Sequence, residues 1–371
     1  MSTPPSPAGA ERTDGSSIRI GALVPLTRPG WVEAGQHLLA GLELGVREVN
    51  EVGGISGRPL ELVVRDTAAD PQRAAAAVDE LAGLGVAALA GEYHSVVARA
   101  AAGRADALGL PFLCSSAVLD ALTEQPTEWV ARLSPPQSRG WQVYADFLLG
   151  AGHRRIAVAA QPSVYWATGT RIVRDHLAAR GGTVVELDMS ALTPADVCDE
   201  LADNRATALL LLVGHPDPAV PIVKSVRGDQ RLAEILIGAP AGQPEFAEWA
   251  TSLGDDGAGV PFLRYLPPEG LSPLGARVEK ALREQLGEAP SFVAFEGYDT
   301  VIVLADVLRS HGADRARIAE SWPRVVVVGT RGQIQFSRAP GTSVWQWAGT
   351  PIQVVDRDPA EPDRFRILHA G

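Results

Sequence analysis

The stretch "IRIGALVPLTRPGWVEAGQHLLAGLELGVREVNEVGG", residues 18–54, decides the fold class of this chain. Its first seven residues form a largely apolar run that is typical of a buried strand. From residue 31 the apolar positions recur at helical spacing, and Gly53 and Gly54 end that helix. An apolar strand followed directly by a helix is the repeating unit of a parallel sheet that is covered on both faces.

The same alternation of strands and helices continues along the chain. It breaks at the Pro-Pro pair 135–136 and restarts with "RRIAVAAQ" at residue 154. We therefore predict an α/β protein with two doubly wound parallel-sheet lobes joined by a multi-strand hinge. The predicted boundaries are a flexible tail (1–17), an N-terminal lobe (18–134 plus about 267–325) and a C-terminal lobe (135–266 plus about 326–371).

Charge and residue counts disfavour several classes of function. The chain has 33 basic and 44 acidic residues and no basic run longer than two, which argues against direct binding of nucleic acid. Its two cysteines and seven histidines show no metal-binding spacing, so we predict no metal and no cofactor. No stretch reaches the roughly 20 apolar residues that a membrane helix needs, so insertion into a membrane is not expected.

Several segments between about residues 18 and 356 carry a resemblance to a known family. They are "IRIGALVPLT", "GLELGVREVNEVGGISGRPLELVVRDTAADPQRAAAAVDEL", "LGLPFLCSSA", "ARLSPPQSRG" and "FEGYDTVIVLADVL". Together they resemble the leucine-binding-protein family of type I periplasmic (solute) binding proteins, which bind amino acids or amides for ABC transporters. The resemblance implies two lobes that close around a ligand. It also implies a transporter role in most members and a cytoplasmic sensor role in a minority.

Polar residues follow two predicted strands at the place where a ligand would bind. "GEYHSVVARAA", residues 91–101, puts Tyr93, His94 and Ser95 between a strand and a helix, and Ser115 and Ser116 end the next strand. Open parallel sheets bind ligands beyond the carboxyl ends of their strands, near helix N-termini. We therefore expect these five residues to contact a ligand. The alternative for Ser95 is that it only caps the helix that follows it.

Aromatic residues occupy comparable positions in other loops. Trp31 follows the first strand's loop, Tyr165 and Trp166 follow the strand at 154–161, and His215 follows a later strand. Aromatic walls on both lobes would suit a ligand with a flat or apolar body. The alternatives are that the tryptophans pack against helix ends and that backbone groups satisfy His215. Arg28, in the first loop, is either a clamp for a ligand carboxylate or a solvated charge.

The resemblance also implies roles for individual residues. In amino-acid-binding relatives the first lobe supplies a serine, a backbone carbonyl and a threonine to the ligand. Ser95 and Ser116 match the first two of these positions, whereas the threonine position falls on Val118 in this chain. The second lobe of those relatives supplies a carboxylate for the ligand ammonium, where this chain has Ala241. Without it the ammonium of a zwitterion would be poorly paired in a closed cleft. The ligand classes left open are amino acids, amides and aromatic acids, with plain leucine disfavoured.

These observations favour a non-catalytic binding protein over an enzyme that uses the cleft. The sequence has no GxSxG elbow, P-loop, HExxH or GxGxxG motif, and no helix-turn-helix precedes residue 18. The N-terminal tail lacks the apolar core of a signal peptide, so the sequence favours a cytoplasmic ligand sensor. Its lobe closure would be read by a regulator or by a second copy of the chain. The alternative is an exported substrate-binding component of an ABC transporter, with a true start upstream.

Overall fold

The computed structural model describes residues 17–338 and 341–371. The predicted tail, residues 1–17, lies outside the described residues except for Ser17. The described chain forms two lobes, each built on a parallel sheet with helices on both faces, which confirms the predicted fold class.

The helices of the described chain are α1 (Val32–Glu51), α2 (Pro71–Gly83), α3 (Ser95–Ala107), α4 (Gln137–Gly150), α5 (Val164–Ala178), α6 (Pro194–Asp203), α7 (Ala219–Gly228), α8 (Ala247–Leu253), α9 (Pro273–Leu286), α10 (Phe292–His311) and α11 (Arg315–Ser321). The strands are β1 (Ile18–Val24), β2 (Leu60–Asp66), β3 (Ala88–Gly91), β4 (Phe112–Cys114), β5 (Val130–Arg132), β6 (Arg155–Ala160), β7 (Thr183–Asp188), β8 (Ala208–Leu212), β9 (Leu236–Gly238), β10 (Phe262–Arg264), β11 (Val326–Gly329), β12 (Gly332–Ser337), β13 (Trp345–Trp347), β14 (Gln353–Arg357) and β15 (Phe365–Ala370).

The first lobe is built on an eight-stranded sheet of order β11-β12-β13-β5-β4-β3-β1-β2. The strands from β5 to β2 are all parallel. Helices α2 and α3 cover one face of this sheet, and α1 and α10 pack together on the other. Gly41 of α1 and Gly297 of α10 allow these two helices to approach closely, because a Cβ at either position would overlap a backbone carbonyl of the opposite helix.

The second lobe is built on a four-stranded parallel sheet of order β7-β6-β8-β9. Alternate residues of β6 and β8 point to opposite faces, so α4 and α5 cover one face of the sheet while α6 and α7 cover the other. A separate three-stranded sheet of order β10-β14-β15 packs against α4. The face under α6 and α7 has a core of its own, whereas the core under α4 and α5 is continuous with that of the first lobe.

The late part of the chain departs from the predicted boundaries. The sequence assigned residues 326–371 to the second lobe, but β11, β12 and β13 extend the sheet of the first lobe. β13 pairs in parallel with β5, with Trp345 opposite Ala131, and so covers an edge that β5 would otherwise expose. The buried side chain of Arg132 donates to Gln346 at 2.7 Å and supports that pairing. β14 and β15 lie with the second lobe.

The two lobes are connected where the chain passes between them after β5, after β10 and after β13. Beside these crossings the fully buried guanidinium of Arg331 pairs with Glu296 (3.2 Å) and Asp299 (3.0 Å) of α10. Ser134, on the first crossing, donates to the same Glu296 carboxylate at 2.7 Å. This buried cluster fixes the first crossing to the core of the first lobe.

Candidate functional site

A cavity of about 670 Å³ lies between the two lobes. Its wall comes from the loops beyond the carboxyl ends of β1, β3 and β4 in the first lobe and of β6, β8 and β9 in the second. This is the position at which open parallel sheets bind ligands. The structure places nine of the ten predicted contact residues on the wall: Trp31, Tyr93, His94, Ser95, Ser116, Tyr165, Trp166, His215 and Ala241.

Ser115, the tenth of these residues, lies outside the cavity wall, contrary to the expectation from the sequence. Its hydroxyl is fully buried, accepts the Gly91 amide at 3.1 Å and bonds the Thr300 hydroxyl at 2.8 Å. Successive side chains of extended backbone point to opposite sides, so Ser115 faces the core while Ser116 faces the cavity. The role of Ser115 is to join β3, β4 and α10.

Ser95 does not cap its helix, because His94 holds the N-cap position of α3. The Ser95 hydroxyl accepts the amides of Val118 (3.1 Å) and Leu119 (3.2 Å) instead. These bonds tie the start of α3 to the loop after β4. The capping alternative for Ser95 is therefore wrong, and its hydroxyl is a support between two parts of the wall.

The N-terminus of α3 opens into the cavity. His94 makes no side-chain capping bond, and the amides of Ser95, Val96 and Val97 have no acceptor among residues 17–338 and 341–371. Ser116, only 5% exposed, lies on the same wall; its hydroxyl makes no hydrogen bond of ordinary geometry among the described residues, but it is close enough to the buried Glu296 carboxyl to offset part of the rise that burial causes in the pKa of that group. A helix N-terminus carries partial positive charge, so this end of the cavity offers donors to a carbonyl or carboxylate oxygen.

Two buried titratable groups support this donor end, and sequence reasoning missed one of them, Glu92. Its carboxylate accepts the amides of Tyr93 (2.9 Å) and His94 (2.8 Å) and the Thr67 hydroxyl (2.6 Å), while burial raises its pKa to about 7. Burial lowers the pKa of His94 to about 4, and its Nε2 accepts the Trp31 amide at 3.0 Å. His94 is therefore neutral near pH 7 and positions the loop of Trp31.

Trp31 is the centre of an aromatic cluster that spans the two lobes. Its ring lies edge-on to Tyr93, with centroids 6.0 Å apart, and tilted against Phe246 of the second lobe at 5.2 Å. On the second lobe, Tyr165 and Trp166 contact each other with centroids 4.6 Å apart. These rings form flat apolar walls on both sides of the cavity, which fits the predicted aromatic cleft.

Three tyrosines, Tyr93, Tyr165 and Tyr265, line the cavity together. Burial raises the pKa of each of them, so all three are neutral hydroxyls near pH 7. Sequence reasoning missed Tyr265 and the neighbouring Phe292, because Tyr265 lies at the start of the second crossing, directly after β10, and Phe292 begins α10, so neither follows a strand of the parallel sheets. The position of Tyr265 directly after β10, at the second crossing, is the signal that could have identified it.

Charged residues lie where the two lobes meet on the cavity wall. Arg28 of the first lobe pairs with Glu248 of the second at 3.2 Å, so its charge is already engaged. The Glu248 amide donates to the carboxylate of Glu33 at 3.1 Å, and burial raises the pKa of Glu33. The His215 Nδ1 is 3.9 Å from the Glu248 carboxylate. These contacts hold the lobes together around the cavity.

The fold and the interlobe cavity agree with comparisons to known proteins. The profile of the periplasmic binding protein family matches residues 17–353. The chain belongs to the periplasmic binding protein family. Among its relatives, Leu/Ile/Val-binding protein homolog 7 of Brucella abortus (strain 2308) is 23% identical over 323 residues, which are 82% of this chain and 80% of that protein.

Solved structures share the fold of this periplasmic binding protein. The leucine-binding protein LivK of Thermotoga maritima superposes with a TM-score of 0.81 at 20% identity, over 95% of this chain and 98% of that one. A solute-binding protein of an ABC transporter from Rhodopseudomonas palustris, crystallised with 3,4-dihydroxybenzoic acid, superposes with a TM-score of 0.77 at 21% identity, over 92% and 93%. At these identities the likeness shows the fold alone.

Three further observations describe this periplasmic binding protein. Within the described ranges, no group of three or more His, Cys, Asp or Glu side chains is arranged to hold a metal ion. Cys114 and Cys198 are both buried free thiols. A search of the described residues finds no helix with the length and apolar character to cross a membrane.

Proposed function

We propose that this protein closes its lobes around a small carboxylic acid or amide with a flat or apolar body, and that it does so without catalysis. The observation that carries the proposal is the open N-terminus of α3 beside the Ser116 hydroxyl, in a cavity walled by aromatic rings from both lobes. The amides of this helix and Ser116 supply donors for one carbonyl or carboxylate group. The rings supply contact area for the remainder of the ligand.

The donor end presents neutral hydrogen-bond donors and the partial positive charge of a helix N-terminus. Neutral tyrosine hydroxyls and the neutral His94 ring lie near this donor end. Among the described residues of the cavity wall, Arg28 is the only lysine or arginine. Arg28 is paired with Glu248, so it does not offer a free cation to the ligand. Carboxylates and amides can both be bound by helix amides and hydroxyls without a bidentate arginine.

The side chain of Ala241 favours an acid or an amide over leucine as the ligand. Its methyl group lines the cavity where the resemblance to amino-acid-binding proteins implies a carboxylate for the ligand ammonium. The acids on the wall, Glu33 and Glu248, lie instead at the contact between the lobes, where Glu248 is paired with Arg28. An amino acid would therefore bind in a different charge environment from that of the relatives.

We further propose that the protein is the substrate-binding component of an ABC transporter. Membership of the periplasmic binding protein family and the transporter-related solved neighbours support this role. They support it better than the cytoplasmic sensor that the sequence favours. The transporter role would place the protein outside the cytoplasm, with membrane transport subunits as its partners.

Isothermal titration calorimetry with benzoate, benzamide, toluene-4-sulfonamide and L-leucine tests the proposal. We expect benzoate or benzamide to bind at least tenfold more tightly than L-leucine, because neither needs a partner for an ammonium group. Tight binding of L-leucine with no binding of either aromatic ligand would overturn the proposed ligand class. Absence of binding by every small molecule in the panel at millimolar concentration would count against the proposed function itself.

A further inference from the structure

The second-lobe wall of the cavity contains two buried side chains whose hydrogen-bonding atoms have no partner among the described residues. They are His215, with both ring nitrogens unpartnered, and Gln243, with Oε1 unpartnered. The His215 side chain is 1% exposed and Gln243 is 2% exposed. Buried polar atoms are almost always satisfied in folded proteins, so two such side chains on one wall of the interlobe cavity are candidates to bond a polar group of a ligand.

The orientation of the Gln243 amide is set by its neighbours. Its Nε2 donates to the Val213 carbonyl at 2.8 Å, so the atom left without a partner is the acceptor Oε1, on a residue that lines the cavity. The carboxamide cannot turn over without losing that bond and placing two acceptors against each other. The Oε1 atom of Gln243 can therefore accept a hydrogen bond from a donor group of the ligand.

His215 is held in a fixed plane by aromatic rings. Trp31 stacks on it, with centroids 6.2 Å apart and planes inclined by 15°, and Trp249 lies tilted against it at 5.3 Å. Its Nδ1 faces the Glu248 carboxylate at 3.9 Å, an arrangement that favours the proton on Nδ1. Nε2 of the neutral ring is then a second acceptor.

We infer that His215 and Gln243 form a subsite for a neutral hydrogen-bond donor of the ligand, a hydroxyl or an N–H group. The inference rests on the proposed function, since it places the ligand's carbonyl or carboxylate on α3 and its body against Trp31. Trp31 links the two ends: its amide donates to His94, beside Ser95, and its ring stacks on His215. The ligand is then bifunctional, as in a ring-hydroxylated aromatic acid or its amide.

Calorimetric titration with substituted benzoates tests this subsite. The probes are 4-methylbenzoate, 3-hydroxybenzoate, 4-hydroxybenzoate and 4-(aminomethyl)benzoate, which differ in the group presented to the second lobe. We expect one of the hydroxybenzoates to bind about five- to tenfold more tightly than 4-methylbenzoate, the ratio that one neutral hydrogen bond provides. The cationic probe should bind no better than the methyl compound.

The variants His215→Phe and Gln243→Leu should each reduce this hydroxyl-to-methyl ratio to about one. Gln353→Leu is the matched control: Gln353 is also 2% exposed, donates from Nε2 to the Leu266 carbonyl at 3.0 Å and has an unpartnered Oε1, but lies outside the interlobe cavity. The hydroxyl-to-methyl affinity ratio of Gln353→Leu should equal that of the unaltered protein.

The outcomes separate the inference from the function on which it rests. If 4-methylbenzoate and both hydroxybenzoates bind equally well, the donor subsite is wrong while the proposed function stands. If only the cationic probe gains affinity, the subsite serves an ammonium group and the neutral-donor inference is overturned. If no benzoate binds, the proposed ligand class fails, and the inference fails with it.

Discussion

The indole of Trp31, in the first lobe, stacks on the imidazole of His215, in the second, with the ring centroids 6.2 Å apart and the planes inclined by 15°. Trp31 also contacts Phe246 of the second lobe, and the nearby Arg28–Glu248 ion pair joins the same two lobes. The structure thus has the two lobes in contact across the mouth of the cavity. A ligand bound beneath Trp31 would be enclosed by residues that also hold the lobes together.

Replacing this indole should weaken ligand binding strongly. We expect Trp31→Ala to lower benzoate affinity about 30-fold, or about 2 kcal/mol, because it removes both an aromatic wall and an interlobe contact. Calorimetry measures the effect. The matched control is Trp345→Ala, since Trp345 lies on β13 with its indole N–H bonded to Glu128 at 2.9 Å, outside the cavity. Equal losses in the two variants would show that the effect is not specific to the cleft.

The adjacent serines provide a second prediction with opposite outcomes. Ser116→Ala removes a hydroxyl that makes no hydrogen bond of ordinary geometry in the described chain and only lies close to the Glu296 carboxyl, so it should lower the free energy of unfolding by less than about 1 kcal/mol and reduce benzoate affinity about five- to tenfold. Ser115→Ala leaves the Gly91 amide and the Thr300 hydroxyl without that partner in the core. It should lower the free energy of unfolding by about 1–3 kcal/mol. Urea unfolding and calorimetry together measure both; a reversal of the two phenotypes would contradict the site.

Position 241 should control the choice between amino acids and plain acids. Ala241→Glu places a carboxylate on the second-lobe wall, where an ammonium would gain a partner and a ligand carboxylate would be repelled. We expect the ratio of L-leucine to benzoate affinity to rise at least tenfold. Titration of both ligands into the same variant cancels any general loss of stability. An unchanged ratio would mean that Ala241 lies too far from the ligand to matter.

The buried His94 predicts a dependence of stability on pH. Its pKa is about 4 in the folded protein, against about 6.5 in an unfolded chain, so the unfolded state binds more protons between these values. The contribution of neutral His94 is therefore present above pH 6.5 and is lost as the pH falls toward 4, by up to about 3 kcal/mol. His94→Gln keeps an acceptor for the Trp31 amide but does not titrate. Its free energy of unfolding should fall less steeply between pH 6.5 and 4 in urea titrations; an unchanged slope would refute the assignment.

Much of the fold and the position of the site follow from the sequence, because both depend on local patterns. Apolar strands such as Ile18–Val24 alternate with helices, and polar or aromatic residues just after those strands line the cavity. The side that each residue faces does not follow in the same way. Ser115 and Ser116 differ by one position along extended backbone, and a shift of one residue reverses inside and outside.

Long-range pairing explains the remaining differences. Residues 326–347 form a hairpin and a third strand, β13, whose partner β5 lies 214 residues earlier in the chain, and no local pattern identifies that partner. Tyr265 reaches the cavity from a chain crossing, and Glu92 acts through bonds to Thr67, which lies on another strand's loop. The order of the strands in the sheets is what brings these residues to the cavity or beside it.

Hydrogen–deuterium exchange of the protein with and without saturating benzoate shows whether the ligand binds between the lobes, because it reports on both lobes at once. We expect simultaneous protection of the amides at 93–97 in the first lobe and at 214–215 and 241–243 in the second, with L-leucine at the same concentration protecting them less. Protection confined to one lobe, or located away from the cavity, would contradict the claim that the ligand binds between the lobes.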